Sequence, residues 1–307
     1  MARRILFVHG RSWKPSRPAL ASLWERAVRH GIARSHPEKL AAFDATRKEL
    51  AYYGDLSNAF LRDRGGTYSE SEDVADRESA LAALQEVGAH QFTRRRYRRL
   101  PGRTSLKEFF ADAGSGPLRW LQLSEPAISH LAPDMCEYWN PDSEFGGRVR
   151  WAFTERLRDA MDSGDEILVV AHSLGTLIAW DTFWKFSYYQ EYRDYRSCRV
   201  SLWITLGSPL GDVTVQDHLK GARASGPRRF PANVVRWENL AAEDDYISHD
   251  QRVADDFRNM HGPELATERI RDYRIYNLAV RHGRSNPHSS VGYLIHPKTA
   301  RLIAEWL

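Results

Sequence analysis

Residues 167–176 read Ile-Leu-Val-Val-Ala-His-Ser-Leu-Gly-Thr. The apolar run from Ile167 to Ala171 is too short for a helix and lacks the alternation of a strand with one wet face. It fits a strand buried on both sides, as in the middle of a parallel sheet. The turn His172-Ser173-Leu174-Gly175 follows at once. A helix is expected from there to about residue 186, with Leu177, Ile178, Phe183 and Trp184 apolar. A strand, a sharp turn carrying a serine and a helix form the context of a nucleophile elbow. So tight a bend demands small residues two positions before and after the serine, and Ala171 and Gly175 stand there. The bend lifts the Ser173 hydroxyl above the sheet edge and aims the Leu174 amide, at a helix N-terminus, into the same space. Helix capping by Ser173 would explain the hydroxyl. It would not explain the apolar strand, the small flanks and the preceding histidine.

Outward from this stretch, short apolar runs alternate with amphipathic patterns, which predicts an α/β fold: a mostly parallel central sheet with helices on both faces. Strands are expected at residues 5–8, ending in His9-Gly10, at 49–53, at 200–206, at 234–237, ending in Glu238-Asn239, and within 270–280. Helices are expected at 17–30, 79–87, 145–161 and 291–307. Residues 62–76 are polar and read as a loop, and shorter helical fragments are expected at 106–111 and 118–123. The stretch 62–132 has no strand pattern and too small a core to stand alone. It is read as a helical insertion or lid over the sheet within one domain spanning 1–307.

The chain has 307 residues, 42% hydrophobic and 27% charged, with a formal net charge of +4. That is ordinary globular composition. The mild excess of arginine is compatible with peripheral contact with anionic surfaces, but a solvated arginine-rich surface is the favoured reading; nucleic acid is not expected as a partner. Cys136 and Cys198 are the two cysteines and form no framework, which fits reduced thiols and a cytoplasmic location. The apolar run near the N-terminus is too short for a signal peptide, and no run is long enough to span a membrane.

A serine hydroxyl needs a base to take its proton and an acid to orient that base. In elbow enzymes these follow in the order Ser, Asp, His. Four late histidines are candidates: His249, His261, His282 and His288. A loop between the last strand and last helix reaches across the top of the sheet, which favours His288, with His282 second. For the acid, Glu238 ends a strand, and Glu243-Asp244-Asp245 follows within one loop; spacing does not choose between Asp244 and Asp245. A second oxyanion donor, beside the Leu174 amide, is expected after the first strand, where Gly10 permits close approach and the N–H of Arg11 or Ser12 points inward. No metal or organic cofactor is expected.

Together these residues resemble the α/β-hydrolase family, on its lipase- and esterase-like branch. The matching pieces are FVHG at 7–10, VVAHSLGT at 169–176, ITLGSPL at 204–210, Trp237 and Asn239 followed by Asp245 and Ile247, and NPHSSVGYL at 286–294. The resemblance implies Asp245 as the acid, through its D-x-I step, and His288 as the base. It implies hydrolysis of a small-molecule or lipid ester through an acyl-Ser173 intermediate. The chain begins at the family's third strand, its elbow is A-x-S-x-G, and residues 62–132 match nothing in the family. Phe109, Phe110, Trp120, Leu121 and Leu123 would line an acyl pocket or simply pack the insertion onto the core. The basic cluster 94–99 would meet lipid phosphates. A peptidase or thioesterase, or a non-catalytic binding protein on a hydrolase scaffold, is the competing expectation.

Overall fold

The computed structural model describes residues 2–102, 133–248 and 252–307. The fragments at 106–111 and 118–123, with their aromatic and aliphatic side chains, and His249 lie outside the described residues. Six strands form the central sheet: β1 (Arg3–Val8), β2 (Arg47–Ala51), β3 (Glu166–His172), β4 (Val200–Leu206), β5 (Arg236–Ala242) and β6 (Arg269–Ile275). Their order is β2-β1-β3-β4-β5-β6, and every neighbouring pair is parallel. The chain thus steps outward from β1 to β2, then returns past β1 to lay down β3 on its other side. Such a reversal opens a crevice at the carboxyl ends of β1 and β3, where ligands bind in open α/β sheets.

Strand alternation explains the unbroken apolar run. Val169 and Ala171 face one side with Leu6 and Val8, packed against the helices Glu144–Asp162 and Leu174–Tyr188. Leu168 and Val170 face the other with Ile5 and Phe7, against the helices Arg17–Ser35 and Pro297–Trp306. All eight side chains are buried. Each of the seven larger than alanine contributes about 1.5–3 kcal/mol relative to exposure, so β3 is held from both faces.

Several expected boundaries are corrected. Residues 62–76 are not one loop: the helix Gly54–Asp63 runs into them, and the helix Glu70–Gln85 covers their end. The Ser69 hydroxyl caps that second helix by accepting the Glu72 N–H at 3.4 Å. Leu81 and Leu84 are buried in the same cluster as the helix Arg17–Ser35, so this part of the insertion belongs to a core layer. The fourth expected strand runs on to Ala242, which places Glu238 and Asn239 inside β5. Glu238 pairs there with Arg269, and Asn239 accepts from Thr205 and donates to Asp272. The terminal helix breaks at His296-Pro297 into Ser290–Leu294 and Pro297–Trp306, because Pro297 cannot donate to the turn before it. Among the described residues, no helix is long and apolar enough to cross a membrane.

Candidate active site

Ser173 stands between β3 and the helix Leu174–Tyr188 with φ 55° and ψ −128°. A positive φ in a residue with a side chain costs about 1–3 kcal/mol and persists only where its surroundings hold it. The Ser173 N–H donates to the Leu206 carbonyl at 3.0 Å, and the Thr176 hydroxyl donates to the Ser173 carbonyl at 2.7 Å. Gly175 explains why the turn tolerates no side chain two positions on. A Cβ there would lie 2.4 Å from the Val8 carbonyl oxygen and 2.6 Å from that of His9. At Gly10 a Cβ would lie 2.7 Å from that of Ser173. The two glycines let the elbow and the end of β1 touch.

The structure brings together Ser173, His288 and Asp245, drawn from three separate loops. Ser173 Oγ lies 2.9 Å from His288 Nε2. His288 Nδ1 lies 3.0 and 2.9 Å from the two carboxylate oxygens of Asp245. With Asp245 accepting at Nδ1–H, the neutral imidazole keeps a lone pair on Nε2, facing the serine. The Asp245 side chain is fully buried, whereas that of His288 is 30% exposed, so the relay runs from the interior to the open crevice. Asp245 also accepts the Tyr293 hydroxyl at 2.6 Å and the Ile247 N–H at 3.0 Å. The Tyr293 hydroxyl in turn accepts the Ala242 N–H at 2.8 Å. Burial, with Asp245 beside it, pushes the Tyr293 phenol well above its ordinary pKa, so it remains a donor.

The other candidates are placed elsewhere. Asp244 has φ 59° and accepts the Tyr97 hydroxyl at 3.1 Å. Glu243 pairs with Arg94 and Arg274. His282, in the hairpin turn between Arg281 and Arg284, is 76% exposed and lies 3.6 Å from Asp76. His261 faces the Thr267 carbonyl at 3.3 Å.

Sequence reading missed four supports. Tyr293 lies within the matched NPHSSVGYL stretch, but nothing in spacing marks its hydroxyl as a partner of Asp245. Gly207, at φ 55°, follows β4; a Cβ there would lie 2.8 Å from Asp245 Oδ2 and 3.1 Å from His288 Nδ1. His172 lies 3.0 Å through Nε2 from the His288 carbonyl, its ring 4.7 Å from that of His288. Burial, then the neighbouring His288, holds the His172 pKa well below the ordinary value. The neutral ring donates from Nε2 and fixes the His288 backbone. The fourth is Asp134, fully buried, which accepts the Ser12 N–H at 2.7 Å and Arg11 Nε at 2.7 Å.

That last contact bears on the oxyanion assignment. The Ser12 amide is engaged by Asp134, which removes it from the two donors considered. Leu174 is the first residue of its helix, so its amide belongs to the first turn, which has no intrahelical acceptor. His9 braces the loop from below. Its Nε2 accepts the Tyr53 N–H at 3.1 Å while Nδ1 donates to the Gly10 carbonyl at 2.8 Å. A cavity of about 190 Å³ opens here, with Ser173, His288, Gly10 and Arg11 in its wall.

Comparison of the chain with protein-family models, curated proteins and solved structures finds no match.

Proposed function

We propose that this chain is a serine hydrolase of the α/β-hydrolase kind that cleaves a carboxylic ester through an acyl-Ser173 intermediate. The observation that carries the reading is the unbroken hydrogen-bonded line from Ser173 Oγ through His288 to Asp245, opening on a crevice at the sheet's reversal point. A strained serine, a base and a buried carboxylate in this geometry do what acyl transfer requires.

The reaction follows from the atoms present. Ser173 Oγ attacks the ester carbonyl as His288 Nε2 takes its proton, and Asp245 stabilises the imidazolium. The carbonyl oxygen becomes an oxyanion facing the Leu174 and Arg11 amides; each such donor is worth about 2.7–4 kcal/mol. The bond to the leaving oxygen then breaks, and His288 gives that oxygen its proton. Water, deprotonated by His288, attacks the acyl-serine, and the carboxylic acid leaves as Ser173 recovers its proton. No step calls for a metal or organic cofactor.

Labelling with a fluorophosphonate probe tests the reading. Wild type should label at Ser173, and Ser173→Ala should not. An unlabelled wild type, or a label indifferent to that substitution, returns the chain to the binding-protein alternative. Ester, thioester and peptide substrates offered in parallel separate the three hydrolase chemistries.

A further inference from the structure

The cavity beside Ser173 has an electrically one-sided wall. Lys14, Arg77 and Arg281 line it together with Arg11. The carboxylates that pair with these arginines stand outside the lining. Arg77 Nε meets Asp73 at 2.9 Å, Arg281 meets Asp73 at 2.8 Å and also Asp76, and Arg11 meets Asp134 at 2.7 Å. Lys14 has no carboxylate partner among the described residues. Its ammonium donates to the Arg11 carbonyl, to that of Ser12 at 3.3 Å and to that of Trp13 at 3.2 Å. Among the described residues, four basic side chains therefore stand against three carboxylates, and the excess lies at the cavity.

Such a surplus is costly while the cavity holds no anion. Burial, then the nearby Arg77 charge, lowers the Lys14 pKa to about 7, and the charges of Asp134 and Asp73 offset this only in part. An oxyanion group entering the cavity supplies the remaining counter-charge, and charge-assisted bonds at a partly enclosed site are strong. The remaining wall is suited to a carbon chain: Leu20 and Trp24 are almost fully buried and face the same space. At about 190 Å³ the cavity is smaller than the roughly 300–1,000 Å³ of pockets that enclose drug-sized ligands.

We propose that this cavity takes the anionic end of the substrate, a carboxylate or phosphate group carried on a short ester. This rests on the reading of Ser173 as the nucleophile of an ester hydrolase. A long neutral acyl chain would leave the excess positive charge, centred on Lys14, against hydrocarbon with nothing to balance it.

Two 4-nitrophenyl esters of matched length test it: the mono-adipate, which ends in a carboxylate, and the heptanoate, which ends in a methyl group. Wild type should favour the adipate in kcat/KM by about tenfold or more, the order expected of one added charge-assisted contact. Arg281→Gln should lower that ratio several-fold and Arg281→Lys should retain most of it. Adipate and inorganic phosphate, as separate carboxylate and phosphate arms, should each be tried for slowing fluorophosphonate labelling of Ser173; at least one should do so. A labelled wild type that prefers the heptanoate, and that neither anion protects, overturns the substrate class and leaves the hydrolase intact. An unlabelled wild type overturns both. Should Arg281→Gln fail to fold, the wild-type ratio and the protection assay still decide.

Discussion

The two ends of the sheet bury charge in opposite ways. At the amino end, the Arg4 side chain is 2% exposed and ringed by Asp165 at 2.6 Å, Glu49 at 3.1 Å, Asp159 and the Ser163 hydroxyl at 3.0 Å. One guanidinium meets three carboxylates. The guanidinium nitrogens are taken up by these partners. At the carboxyl end the polarity is reversed: cations line an opening, the carboxylates stand behind them, and the central relay ends on a hydroxyl. The first network is closed and can only hold the strands together. The second is open on one side, where on the proposed reading a substrate would complete it.

The sharpest way to break this contrast is to cut each network once. Ser173→Ala or His288→Ala should lower ester turnover by about 10⁴–10⁶-fold and Asp245→Asn by about 10⁴-fold, measured as kcat with a chromogenic ester. Arg4→Ala should do the reverse. Stranding the buried Asp165, while Glu49 keeps Arg47 at 2.8 Å, should cost about 3–5 kcal/mol of stability in urea unfolding. Turnover per folded molecule should stay within about twofold of wild type, since Arg4 touches nothing in the crevice. Loss of turnover in folded Arg4→Ala, or unfolding of Ser173→Ala, would erase the distinction between a structural and a chemical network.

A smaller effect is expected of Tyr293→Phe, which removes the donor to Asp245 and orphans the Ala242 N–H. Stability should fall by about 1–3 kcal/mol. If the phenol positions the acid, kcat should also fall about tenfold with KM little changed, because the contact affects the relay and not substrate binding. An unchanged kcat would reduce Tyr293 to packing.

Much of the carboxyl end was legible because its signals are local. The apolar run of β3, the small residues around Ser173 and the order of the later loops need no knowledge of distant contacts. What escaped depends on residues far apart in the chain. Asp244 and Asp245 are equivalent by spacing; they part because Asp244 takes a positive φ toward Tyr97 while Asp245 turns inward to His288. Glu238 and Asn239 looked like a strand's exit because they are polar, yet β4 and β6 give them partners inside the sheet. The helix Glu70–Gln85 was hidden by its acidic first turn, although Ser69 and Glu72 spell a cap. The Arg4 cluster left no trace at all: Glu49, Asp159 and Asp165 are ordinary acidic residues until the strands bring them to one guanidinium.

The contrast extends to acid, with the smallest effect. Around the elbow the imidazoles are kept neutral: burial holds His9 and His172 well below the ordinary imidazole value, and at the N-cap of the last helix it lowers His296 to about 3. At the amino end charge is kept, and Arg4 holds the Asp159 carboxyl below its usual range. The signs fix the order of failure. A histidine depressed on folding takes up its proton first in the unfolded chain, so its contribution is intact above about pH 6.5 and is lost as pH falls toward the folded value. A depressed carboxylate gives way only below its unfolded value near pH 4. Stability should therefore decline first between pH 7.5 and 6, and His296 alone should account for about 1 kcal/mol of that decline. His296 accepts the Lys298 N–H at 3.0 Å, and asparagine can replace it there as a helix cap. His296→Asn should therefore flatten the slope in urea titrations at those two pH values. A slope unaltered by that substitution would mean that the imidazole is solvated when folded, and that acid finds the closed network first.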